Sequence, residues 1–248
     1  MKKYELTEKT KVVNGHTLHR IRSLIDFNKA KKGDLGGWIE HEGNLEQSGA
    51  AWVSGNALVY GNAWVSGAAE VYGDALVYGN ARVYGNAWVG GAARVYGIAE
   101  VHGDARVYGN TWVGGAALVY GNARVYGNAR VYGNAWVSGA ARVSGAALVY
   151  GNAEVYGDAR VYGIAEVYGD ARIHGDAEVS SHSNYIVFKN WWSSGRYFTW
   201  TRSNNMWSVG CFYGTGAELI KKAYKDSEVS GREYERVVRY VESILDDK

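Results

Sequence analysis

The sequence has no proline among its 248 residues, one cysteine and two methionines. Proline has no N–H to give to a strand ladder, so its absence suits strands paired along both edges. The lone thiol, Cys211, excludes an internal disulfide and a cysteine metal cluster. An excess of one charge is missing too. The formal net charge is +2, made of +2 over residues 1–50, −2 over 51–180 and +2 over 181–248. Nothing in that balance draws the chain toward nucleic acid or an anionic membrane. No apolar run approaches the ~18 residues of a membrane-crossing helix. The opening MKKYELTEKT lacks the apolar stretch of a secretory signal, so the expected location is the cytosol of the producing cell.

Glycine is abundant at 34 residues, with 20 tyrosines and 10 tryptophans. Most of them fall into a repeat. From Ala51 to Val179 the pattern Ala-x-Val recurs every six residues, twenty-two times, with only Thr111 and Ile173 as replacements. Glycine stands two places after each aliphatic residue from Gly55 to Gly175, and Asn or Asp usually follows, as in Gly61-Asn62 and Gly73-Asp74.

Alternate residues of a strand point to opposite faces. Ala and Val therefore share one side, and x takes the other. Gly followed by Asn or Asp supplies a corner. Six residues bury no apolar face alone, so the coils must stack. Burial of each inward valine, at roughly 1.5–3 kcal/mol, sets the core against chain entropy.

An aliphatic residue every six positions with a small one two places before it, here Val and Ala over residues 51–180, resembles the hexapeptide-repeat superfamily. The resemblance implies a left-handed parallel β-helix with three hexapeptides per triangular coil. One departure is that the superfamily often has Gly directly after the aliphatic residue, where this chain mostly has Tyr. The expected fold class is mainly β: a hairpin and cap over residues 1–50, the β-helix over 51–180, and an α+β module over 181–248. Val12-Val13-Asn14-Gly15 and Thr17–Ile21 read as the hairpin, and Gly43-Asn44-Leu45 as a degenerate first repeat. In the last segment 185–189, 197–202 and 206–213 read as three strands. Thr215–Glu218 and Ser230–Glu233 read as capping boxes that open two helices. The motifs Gly33–Glu40 and Gly210–Gly216 make the whole layout resemble hexapeptide-repeat proteins of phages, prophages and enteric bacteria. That resemblance brings no activity with it.

With 18 residues to a coil, the outward positions sort into three columns and seven coils make a rod of roughly 34 Å. One column carries Arg106, Arg124, Arg142 and Arg160 in consecutive layers. Stacked like charges call for an anion, a partner's acidic groups or local compensation, for which Asp104 and Asp158 stand near; repeat duplication also makes such runs. A second column holds Leu58, Leu76, Trp112 and Leu148, with Tyr60, Tyr78, Tyr132 and Tyr150 beside it. This apolar face is the expected interface of a homotrimer, the assembly the resemblance implies; the alternative is a solvated tyrosine ladder. Each of the five rod tryptophans is followed two residues later by Ser or Gly, which reads as an indole lying across space that a tyrosine fills elsewhere.

Trp191, Trp192, Trp200 and Trp207, with Arg196 and Arg202, form a candidate recognition surface, against plain core packing. The resemblance also brings acyl transfer into view, which relies on a catalytic histidine and an extruded loop. No loop interrupts the repeat, and His102 and His174 lie 72 residues apart and read as satisfied surface histidines. Cys211, with His182 as the one histidine of its module, reads as a small buried apolar residue on a strand. No catalytic residue, metal or cofactor is expected. Two readings stand ahead of acyl transfer: a rigid scaffold presenting the C-terminal module to a protein partner, and a trimer sequestering a small anion such as a nucleotide. A phage-borne inhibitor of host defence fits either.

Overall fold

The computed structural model describes residues 2–246. Strand β1 (Tyr4–Val13) turns at Asn14-Gly15 into β2 (His16–Ser23), which leads to β3 (Leu35–Ile39). Strands β4 to β25 follow, twenty-two two-residue strands, one every six residues from Trp52–Val53 to Glu178–Val179. Then come β26 (Tyr185–Lys189), β27 (Tyr197–Thr201), β28 (Met206–Val209), β29 (Phe212–Gly214), α1 (Gly216–Asp226) and α2 (Glu228–Asp246).

The rod is a parallel β-solenoid of three sheets. Every pairing joins residues eighteen apart, such as Leu58 to Leu76, Arg106 to Arg124 and Glu100 to Leu118. Inward Ala and Val side chains are sealed from solvent throughout. Thr111 takes an alanine position, its hydroxyl oxygen enclosed and without a partner. Corner glycines from Gly55 to Gly175 have φ between +65° and +82°, where a Cβ is strained. Most also meet the next coil: a Cβ on Gly97 would lie 2.7 Å from the Gly115 carbonyl oxygen.

Up to three hydrogen bonds of a hexapeptide run to the next coil in one direction. Leu76, Tyr78 and Asn80 donate their N–H groups to the carbonyls of Ala93, Val95 and Gly97, one coil on. In this set the first coil is left with open carbonyls and the last with open N–H groups, so the two caps need opposite chemistry. At the start, the Lys3 ammonium donates to the Ala51 and Ser48 carbonyls at 2.8 and 3.2 Å. The Arg20 guanidinium serves Gly55, and the Asn44 amide serves Gly61 and Ala63. At the far end, the Arg172 and Glu178 N–H groups donate to the hydroxyls of Thr199 and Ser203, and Ser180 N–H donates to Asn184 Oδ1.

The hairpin forms as its Asn-Gly turn requires, with φ of +50° at Asn14 and +84° at Gly15. It extends the Leu/Tyr sheet, in the order β1-β2-β3 and then the rod. Trp38 and Ile39 pair with Leu58 and Val59, and Leu45 bridges Val65, so the degenerate repeat does build a starting coil.

The C-terminal sheet has four strands rather than three. Gly210, at φ +58°, breaks the expected strand 206–213 into β28 and β29. Thr215 caps α1 with Glu218 reciprocating. α2 starts earlier than its supposed capping box: Ser227 Oγ accepts from Ser230 N–H, and Gly231 lies inside the helix. That glycine is a packing device, since a Cβ there would sit 2.2 Å from the Tyr224 ring.

Two predictions follow from the coil geometry and the first cap. Gly97→Ala and Gly169→Ala carry the same φ strain, about 1–2 kcal/mol, but nothing lies within 4 Å of a Cβ on Gly169. Denaturant titration should therefore show Gly97→Ala as the more damaging; equal losses would refute the coil-contact argument. Burial lowers the Lys3 amine to about 8, against the raising effect of Glu46. Between about pH 8 and 10 the unfolded chain still binds a proton there and the folded chain does not, so stability from this group rises with pH. The stability difference between wild type and Lys3→Met should grow from pH 8 to pH 10, and a flat difference would contradict it.

Candidate functional site

The rod arginines acquire partners only once the eighteen-residue register is in place. Arg94 and Arg130 lie over the two faces of Trp112, at 5.0 and 4.9 Å from its centroid. Arg106 lies 4.9 Å over Trp88, whose ring also receives Lys29. Arg82 approaches Glu100 at 3.9 Å, Arg160 pairs with Glu178 at 3.1 Å, and Arg172 pairs with Glu154 at 3.1 Å. Compensation of the four-arginine ladder thus comes from Trp88 and Glu178. Asp104 is occupied by the Asn86 amide. Arg124 and Arg142, in the middle of the ladder, make no side-chain hydrogen bond, ion pair or cation–π contact among the described residues.

Tyrosines one coil apart stack as an aromatic ladder. Tyr60, Tyr78 and Tyr96 stand 5.2 and 5.6 Å apart, and Tyr132, Tyr150 and Tyr168 stand 5.1 and 5.4 Å apart. His102 is a rung of such a ladder, between Tyr84 and Tyr120 at 4.7 and 5.2 Å. His174 lies between Tyr156 and Tyr213 at 4.0 and 4.2 Å. Burial lowers the pKa of both histidines. The expectation of a satisfied surface histidine fails at His174, whose Nδ1 is enclosed without a partner. The glycines after Trp88 and Trp112 also have a different reason from the one expected. Tyrosine rings from the preceding coil, Tyr72 and Tyr96, lean over Gly90 and Gly114, where a Cβ would lie 2.1 and 2.2 Å from them.

The Leu/Tyr face is shorter than its column suggests. Leu58 and Tyr60 are buried under Leu18 and Trp38, so the hairpin already covers them. Leu76, Tyr78, Trp112, Tyr132, Leu148 and Tyr150 are half-exposed along the rest of that sheet.

In the C-terminal module the four tryptophans separate. Trp200 and Trp207 are buried with Phe198, Tyr234 and Val238 beneath the two helices, so they are core and not recognition surface. Trp192 is half-buried, edge-on to Tyr234 at 5.0 Å, with its indole N–H enclosed and unpartnered. Trp191 is 76% exposed. Arg196 is exposed, and Arg202 is half-buried with its backbone N–H donated to the Asn184 carbonyl. Cys211 is exposed in the turn that Gly210 opens between β28 and β29, not buried in a strand as expected, and with Arg196 it lines two adjoining clefts of about 420 and 470 Å³. His182 lines a separate cleft of about 480 Å³ with Tyr168 and Tyr185. No group of three or more His, Cys, Asp and Glu able to hold a metal occurs among the described residues. No described helix is long and apolar enough to cross a membrane.

The repeat itself matches a family model described as YdcK beta solenoid repeat, over residues 51–67, 77–91, 117–130, 123–139 and 129–145. The chain is a β-solenoid repeat protein. These segments cover about a quarter of the sequence, all of it within the rod. No curated protein matches the chain.

The division of the tryptophans is directly measurable. Trp207→Ala should cost about 3–5 kcal/mol, as large core truncations do, and Trp191→Ala within about 0.5 kcal/mol, as surface changes do. Urea midpoints of the two variants check this, and similar losses for both would contradict the assignment.

Proposed function

We propose that the chain is a non-enzymatic scaffold: a rigid rod that presents its C-terminal module to a protein partner inside the cell. The observation that carries this reading is an exposed aromatic and cationic surface on a firmly docked module. Arg172 donates to the Gly210 carbonyl at 2.9 Å, and the Asn204 amide donates to Asp176 at 2.9 Å. With the Thr199 and Ser203 bonds, these contacts tie the module to the last coil. Trp191 stands open to water on the same segment as the exposed Arg196 and Tyr197. Tryptophan and arginine anchors of this kind dominate binding energy at protein interfaces. The absence of any insertion between the corner glycines from Gly55 to Gly175 speaks against an acyltransferase pocket of the hexapeptide-repeat kind.

Assembly as a homotrimer through the face from Leu76 to Tyr150, and kinship with phage and prophage hexapeptide-repeat proteins, belong to the same proposal. One observation favours a second reading, capture of a small anion: Arg124 and Arg142 are the rod arginines left without a partner among the described residues.

Native mass spectrometry with affinity capture on the full chain tests the scaffold. The expected mass is that of a trimer, and a monomer would remove the Leu/Tyr interface. Trp191→Ser with Arg196→Glu should leave fold and mass unchanged and abolish specific capture. A partner bound equally by wild type and variant would refute the recognition surface.

A further inference from the structure

The slot after each inward aliphatic residue usually carries a ring. Within the rod it carries Ser or Gly at Ser54, Ser66, Gly90, Gly114, Ser138, Ser144 and, in the last hexapeptide, Ser180. Five of these follow a tryptophan by two residues. Ser144 and Ser180 do not; Ser144 follows Arg142, and Ser180 follows Glu178 at the very end of the rod, where no further coil stacks on it.

The consequence is a missing rung. Along this column the order is Tyr108, Tyr126, Ser144, Tyr162, fixed by the pairing of Arg106, Arg124, Arg142 and Arg160. Tyr108 and Tyr126 stack at 5.3 Å. Tyr126 and Tyr162 are two coils apart, roughly 10 Å at ~4.8 Å per layer. That separation holds one flat ring at the spacing the tyrosines keep among themselves. The space is a cleft of about 320 Å³ lined by Tyr126, Arg142, Ser144, Arg160, Tyr162 and Glu178. Its two walls are aromatic, its floor is the small Ser144, and its rim is cationic.

The charges at the rim are not equivalent. Glu178 is engaged by Arg160 at 3.1 Å and by the Tyr162 hydroxyl at 3.5 Å. Arg142 is uncommitted and belongs to the coil of the missing rung. A ring entering between the tyrosines brings its substituent within the reach of that guanidinium, which favours phosphate or carboxylate. Gly90 and Gly114 offer no such space, because Tyr72 and Tyr96 lean across them.

We propose that this cleft binds a flat aromatic ring bearing one anionic group, stacked between Tyr126 and Tyr162 with the anion on Arg142. That chemistry is shared by a nucleoside monophosphate and an aromatic carboxylate. The proposal rests on the anion-capture reading and is independent of the scaffold.

The test is calorimetric titration of the full chain with adenosine monophosphate and with 2-naphthoate, beside adenosine and orthophosphate. At least one aromatic anion binds, and which one does identifies the source. Ser144→Tyr installs the residue the repeat carries elsewhere, keeps the thermal midpoint and abolishes binding. Arg142→Gln weakens the anion by roughly tenfold or more, as loss of a charge-assisted hydrogen bond does, without moving adenosine; it carries the test if the tyrosine variant fails to fold. Undiminished binding by a folded Ser144→Tyr overturns the proposal. Orthophosphate bound as tightly as the aromatic anions overturns the cleft while leaving an anion site. No binding of any probe at millimolar concentration removes both.

Discussion

Everything in this molecule depends on the hydrogen-bonded step from one coil to the next. The step is eighteen residues, and it places like positions over like positions. Ala and Val fill the axis, corner glycines stack on corner glycines, and each outer column becomes a vertical series of chosen side chains. A corner glycine needs both its positive φ and its missing Cβ, since the next coil passes within van der Waals distance. The regular core is therefore a condition imposed by stacking as much as a consequence of valine burial.

The same step makes the rod polar from end to end. A lysine, an arginine and an asparagine amide meet open carbonyls of the first coil; two hydroxyls and an asparagine oxygen meet three of the open N–H groups of the last. Capping by matched donors and acceptors shortens the unpaired edges that invite aggregation, fully on the Arg172 and Glu178 sides of the last coil and less at β23, the last strand of its sheet. It also explains a lysine that is 2% exposed, which would otherwise be an expensive residue to bury. Asn44 and Asn184 repeat one device at opposite ends. Each side-chain oxygen accepts two successive backbone N–H groups at the entrance of a short 3-10 turn.

The rod was legible in the sequence because one period governs backbone, core and surface together. Once the period is known, so is the column in which each arginine stands. The same period sets Trp112 between Arg94 and Arg130, but not that both guanidinium groups lie over its ring, which depends on side-chain rotamers. The ends were less legible because no period runs through them. β27 reads Tyr-Phe-Thr-Trp-Thr and is buried on both faces: Phe198 and Trp200 meet the helices, while Thr199 meets the rod. Alternation alone does not reveal that the threonine side is covered as well, and tryptophans in such a strand look available for binding. Gly231 misled for a related reason. Its Ser-x-x-Glu setting signals a capping box, yet Ser230 is already the third residue of α2 and Gly231 admits Tyr224 against the helix's first turn.

The central claim is that the ladder is continuous and that chemically opposite caps meet its two ends. Amide hydrogen exchange, resolved along the chain, tests it most directly. The account predicts that the first coil, residues 51–67, and the capped amides of Arg172, Glu178 and Ser180 in the last are protected to the same degree as the coils between them. Protection that falls away progressively toward either end would contradict it.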